Sequence, residues 1–122
     1  MKKLLVTVIV LGVALCAAPS ASAHASRTGS NPAFASRIGK LPTQVWIEFD
    51  GNLIDFGSKQ SNFLIVKDPN GREIQQGRPV VGGARITVKV KNSRLAGRYE
   101  ASWRVVSEDG HPVLGSIFFY LK

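Results

Sequence analysis

Hydrophobic residues recur in this chain mainly at alternate positions, the period of strands with one buried and one solvated face. In the segment 44–50, Val45, Ile47 and Phe49 alternate with Trp46, Glu48 and Asp50. Ile86, Val88 and Val90 alternate in the same way with Arg85, Thr87, Lys89 and Lys91. Tyr99, Ala101, Trp103 and Val105 share one side of segment 98–107, and Ile117, Phe119 and Leu121 end the pattern. Segment 63–66 is a short apolar run closed by Asp68-Pro69-Asn70-Gly71. There Pro presets φ and Asn-Gly supplies the positive φ of a turn. Segments 26–30 and 73–75 are shorter candidate strands. Beyond residue 23 no stretch has the period of an amphipathic helix. About seven short strands punctuated by Gly, Pro and Asn predict one all-β domain folded as a β-sandwich. A Cys…Trp…Cys framework is absent, so no disulfide is expected, and Trp103 is the candidate to fill the space between the sheets.

The first 23 residues follow a different rule. Lys2 and Lys3 precede a mostly apolar run over 4–16, and a small-residue stretch ends in Ala21-Ser22-Ala23. A basic start, a short apolar core and an A-x-A ending predict a secretory signal peptide cleaved after Ala23. The apolar run is too short for the roughly 20 residues of a membrane span and stops at Pro19. Lipidation at Cys16 is disfavoured by the bulky Leu15 before it. The expected organisation is therefore a leader over 1–23 and a domain over 24–122.

Removing the leader changes the composition that bears on function. The 122-residue chain carries 16 Lys and Arg against 8 Asp and Glu, a net charge of +8, which becomes +6 without Lys2 and Lys3. Cys16 and Met1 leave as well, so residues 24–122 hold no sulfur, whereas both histidines, His24 and His111, stay. Without disulfides the exported domain depends on its packed core and hydrogen bonds. Basic residues are scattered rather than clustered among aromatics, and export makes nucleic acid an unexpected partner. A solvated surface accounts for most of the charge.

Cleavage after Ala23 makes His24 the first residue. Its α-amine and imidazole Nδ1 can then chelate one metal ion. Two histidines in 99 residues would put one at that position by chance only about 2% of the time, so the placement counts as a signal. Asp109-Gly110-His111 offers a carboxylate and a second imidazole, and Gly110 lets the intervening backbone turn or extend. An N,N,N,O donor set suits the tetragonal preference of Cu(II); Ni(II) and Zn(II) accept the same ligands, but the divalent affinity order favours copper. The lack of thiolate and thioether argues for the oxidised ion. The same five residues, Glu108 to Pro112, also read as an ordinary turn between strands, with Asp109 capping the backbone and Gly110 at the bend.

The segment Ser30-Asn31-Pro32-Ala33, Pro42 followed by Val45-x-Ile47-x-Phe49, and above all Trp103-Arg104-Val105-Val106-Ser107-x-Asp109-Gly110-His111-Pro112-Val113-x-Gly115-Ser116 resemble the CopC family of exported copper-binding proteins. The likeness spans nearly all of 24–122. It implies an immunoglobulin-like Greek-key β-sandwich or barrel that binds one Cu(II) ion per mature chain through His24, Asp109 and His111. It also implies a role in copper resistance or homeostasis in the periplasm or cell envelope, without catalysis. The implied partners are copper and a CopD-like membrane copper transporter or another copper protein. Gly51 stands where some relatives have a Glu near the metal, beside Asp50, and the Met-rich Cu(I) segment of some members is missing. Two other readings stay open from the residues alone: a copper-dependent oxidative enzyme built on the histidine chelate, and a metal-free structural module.

Overall fold

The computed structural model describes residues 25–122; the leader expected over 1–23 and the ligand candidate His24 lie outside the described residues. Eight strands form: β1 (Arg27–Asn31), β2 (Arg37–Ile38), β3 (Gln44–Phe49), β4 (Phe63–Lys67), β5 (Gln75–Gly82), β6 (Arg85–Val90), β7 (Gly97–Val106) and β8 (Pro112–Leu121). They make two four-stranded sheets, ordered β1-β3-β6-β5 and β2-β8-β7-β4. All pairings are antiparallel except β2 with β8. Consecutive strands lie in opposite sheets from β1 through β5 and again between β6 and β7; only β5–β6 and β7–β8 are hairpins within one sheet. Together these features define an immunoglobulin-like Greek-key sandwich.

The alternation read from the sequence is the alternation that packs. Val45, Ile47 and Phe49 of β3, with Ile86, Val88 and Val90 of β6, face Tyr99, Ala101, Trp103 and Val105 of β7 and Ile117, Phe119 and Leu121 of β8, and all are buried. Trp103 fills the inter-sheet space as expected, its ring 5.9 Å from that of Phe49 and nearly perpendicular to it. Phe49 belongs to the opposite sheet, so the pair ties the two sheets together across the core.

Three elements differ from the sequence reading. β5 runs well past the short strand expected over 73–75; it is an edge strand, mostly exposed, with a register irregularity between Gln76 and Val80 and Gly77 at positive φ. β8 begins at Pro112, five residues before its first fully inward-facing apolar side chain, Ile117. The two-residue β2 arises only from pairing with the end of β8. Among the described residues the total is eight strands rather than about seven.

Near the start of β7, the Tyr99 hydroxyl donates to the Leu95 carbonyl at 2.7 Å and lies 2.8 Å from Ser93 Oγ. This bond back to the preceding corner is the tyrosine corner of immunoglobulin-like domains, and the Tyr99 ring also stacks on Phe119 at 5.5 Å. Tyr99→Phe keeps the ring and strands the Leu95 carbonyl, so it is expected to cost about 1–2 kcal/mol. For a domain of this size that lowers Tm by roughly 4–16 °C, readable by calorimetry.

Candidate metal centre

The turn between β7 and β8 holds Asp109 and His111, and its geometry follows from the residues around them. Gly110 adopts φ 80°, a left-handed conformation that glycine enters without a Cβ penalty, and its N–H donates to the Ser107 carbonyl at 2.9 Å. The Ser107 N–H donates to the His111 carbonyl at 3.1 Å, closing the base of the turn. Asp109 Oδ1 accepts from the His111 N–H at 3.1 Å and from the Ser107 hydroxyl in a short hydrogen bond. Asp109 Oδ2 lies 3.2 Å from His111 Nδ1.

The two carboxylate oxygens therefore do different work. Oδ1 caps the turn, as the plain structural reading expects, while Oδ2 faces the imidazole. The Asp109 side chain is 19% exposed and that of His111 is 67% exposed, so the pair sits at the surface with the carboxylate tucked beneath the ring. Two donors each about 2.0 Å from one ion and roughly cis to each other are about 3 Å apart, close to the Oδ2–Nδ1 separation. The pair fits two neighbouring positions of a tetragonal site. The same contact, without an ion between the atoms, is the hydrogen bond by which a carboxylate orients a ligating imidazole.

Hydrogen bonding also fixes the charge of Asp109. The Ser107 hydroxyl first, then the His111 N–H and imidazole, hold its carboxyl down from the ordinary 3.8 to about 2. A carboxyl lowered on folding contributes stability fully present above its unfolded value of 3.8, and that contribution is lost as pH falls through about 2. Acidification from neutrality to pH 4 should leave this turn intact. Ser107→Ala should move the Asp109 midpoint back toward 3.8, as read from its carboxyl carbon in an NMR titration.

Ser107 is the residue the sequence reading passed over. It is almost fully buried, and its hydroxyl also reaches the His111 carbonyl at 3.2 Å. Next to it Leu53 forms an isolated bridge with Ser107, and Asn62, also buried, accepts from the Val106 N–H at 2.9 Å and donates to the Ile54 carbonyl at 2.7 Å. These contacts give the turn a rigid floor.

The start of the described chain lies at the same end of the sandwich. Ala25 is buried, and Ser26 exchanges two hydrogen bonds with Asp50: its N–H donates to Oδ1 at 2.7 Å, and its carbonyl accepts from the Asp50 N–H at 2.9 Å. From Asp50 the chain needs only three residues, at most about 10 Å, to reach Leu53 beside Ser107. Asp50 thus braces the backbone two residues after His24. Arg104 is engaged elsewhere, donating to the Ser61 carbonyl at 3.0 Å. Among the described residues no group of three or more His, Cys, Asp or Glu forms a metal cluster, and the third candidate ligand, His24, lies outside them.

Fold and turn together define a small immunoglobulin-like domain with a carboxylate–imidazole pair at one end. The CopC domain model matches residues 27–122. The chain is 30% identical over 122 residues to copper resistance protein C of Xanthomonas campestris pv. juglandis, covering 95% of this chain and 94% of that protein. It is 28% identical over 106 residues to copper resistance protein C of Pseudomonas syringae pv. tomato, covering 84% and 83%. It is 32% identical over 100 residues to the copper transport protein CutJ of Bacillus subtilis (strain 168), covering 80% of this chain but spanning only 18% of that relative's length. Among solved structures, CopC from Methylosinus trichosporium OB3b aligns with a TM-score of 0.65 at 20% identity, covering 81% of this chain and 94% of that one. PcoC, a methionine-rich copper resistance protein from Escherichia coli, also gives 0.65, at 22% identity, covering 82% and 100%. This chain belongs to the CopC family.

Proposed function

We propose that this protein is exported, loses residues 1–23, and binds one Cu(II) ion through the α-amine and imidazole of His24 with Asp109 and His111. Its role is to sequester copper outside the cytoplasm or deliver it to a membrane partner, without turning over a substrate. Family membership, among relatives named for copper resistance and copper transport, supports the copper-related part of this reading. The observation that carries the site is the pairing of Asp109 Oδ2 with His111 Nδ1 at the end of the sandwich where the described chain begins.

The chemistry is that of a binder. Asp109 is already ionised near neutral pH and brings negative charge to a domain of net charge +6. Cu(II) competes with protons for the amine, ordinarily near 7.7–8.0, and for the imidazoles, so affinity falls on mild acidification while the carboxylate stays charged. The test is a Cu(II) titration of protein beginning at His24, compared with His111→Ala. One ion per chain is expected, with affinity sharply reduced in the variant. Equal affinity in the two proteins would remove His111 from the site.

A further inference from the structure

On the outer face of the sheet formed by β2, β8, β7 and β4, and at its border with β1 of the other sheet, guanidinium groups lie over aromatic rings in series. Arg27 sits over Phe34 at 5.5 Å, Arg98 over Phe118 at 4.6 Å and Arg37 over Tyr120 at 5.1 Å. The rings also meet edge to face, Phe34 with Phe118 at 4.8 Å and Phe118 with Tyr120 at 5.8 Å. Four separate segments of the chain supply this array, so folding assembles it. It is open to solvent, with Phe34 50% exposed and the Arg98 side chain 54% exposed. Glu100 lies 4.0 Å from Arg98, one carboxylate against three guanidinium groups.

Internal stability is a weak account of this surface. Exposed cation–π contacts contribute only about 0.5–1 kcal/mol each, and a half-exposed phenylalanine forgoes much of its burial energy. What stacking does provide is orientation. A guanidinium held over a ring has given up rotamer freedom before any partner arrives, and its planar fork suits bidentate bonding to a carboxylate. Arginine and aromatic residues are also the types that concentrate in protein interfaces, where lysine is depleted.

We propose that this face is a docking surface for a partner protein that presents carboxylates around an apolar contact. A second copy of the chain does not fit, since face-to-face packing would oppose two sets of three arginines. Anionic lipid is the competing occupant, but general attraction to a charged bilayer needs only unspecific basic charge, not guanidinium groups fixed on rings. Phe118 lies six residues along β8 from Pro112, roughly 20 Å from the turn at about 3.3 Å per residue. A partner docked here leaves the Asp109–His111 end uncovered, so docking does not depend on bound copper and stands apart from the metal reading.

The test is an NMR titration of the metal-free, 15N-labelled protein at physiological salt with a synthetic peptide of alternating Glu and Phe, and with its Gln-for-Glu counterpart. Shifts should concentrate on β2 and β8 around Phe118 and Tyr120, with the Gln peptide much weaker. Arg37→Gln with Arg98→Gln, and separately Phe34→Ser, should each weaken binding at least fivefold while leaving Cu(II) stoichiometry unchanged. Three results would overturn the proposal: shifts spread over the other sheet at Lys89 and Lys91, undiminished binding by both variants, or tighter binding of this face to phosphatidylglycerol vesicles than to the acidic peptide.

Discussion

Acetylating the α-amine of the chain that begins at His24 is expected to lower its Cu(II) affinity by at least about a hundredfold, because even outer partners of metal ligands commonly contribute 10–100-fold. Acetylation removes the terminal charge and one nitrogen donor and leaves every side chain in place. The rest of the fold is untouched: Ser26 keeps both hydrogen bonds to Asp50, and Asp109 keeps its bonds to Ser107 and His111. Tm of the metal-free protein should therefore stay within about 2 °C, which separates loss of a ligand from loss of structure. A competition titration against a chromophoric Cu(II) chelator at neutral pH reads the change directly. His24→Ala makes the complementary cut, sparing the amine and removing the imidazole, and should weaken binding comparably. The acetylated protein should also lose the part of the pH dependence that belongs to the amine, since no proton there remains to compete. Affinity within threefold of the unmodified protein would show that no terminal chelate exists.

The parts of this structure that could be read from sequence are those where one face of a strand is buried and the other solvated. In β3, β6 and β7 every inward position picked out by alternation is buried. β5 carries no such signal because an edge strand that is exposed on most positions has no polarity to alternate, and its bulge, Gly77 and Pro79 break the period besides. The first half of β8 is equally silent, since its inward position opposite Trp103 is Gly115, which shows no hydrophobic side chain. At the candidate site, the spacing of Asp109 and His111 was enough to pair them. The division of labour between the two Asp109 oxygens was not, because it depends on a hydroxyl supplied from beneath the turn. Even so, the phase of β7 held that signal: Tyr99, Ala101, Trp103 and Val105 point inward, and Ser107 is the next position in the series.

Gly115→Ala is expected to be strongly destabilising, since among the described glycines it is the one where an added Cβ meets its neighbours most closely. Gly115 pairs with Trp103 across β7 and β8, so both point inward, and the indole lies across the space a side chain would take. A Cβ at residue 115 would overlap Trp103 Cζ2 and stand 2.7 Å from Cε2 and 3.1 Å from Nε1. The cost comes from the ring, which cannot simply retreat because Phe49 packs against it from the other sheet. Overpacking of this kind costs about 1–3 kcal/mol, and contacts this short place it at the upper end. At roughly 4–8 °C per kcal/mol, Tm should fall by more than 10 °C. Trp103→Phe supplies the control, since it deletes Nε1 and shortens the ring where the new methyl must fit. Alone it destabilises by leaving a void, but combined with Gly115→Ala it should cost less than the sum of the single changes by at least about 0.5 kcal/mol. Strict additivity would mean that the strand shifts rather than the ring. In that case β8 would move at Val113 and Leu114, next to the turn that holds His111, and Cu(II) affinity would fall along with stability; a ring-limited effect leaves the affinity of the folded protein nearly unchanged.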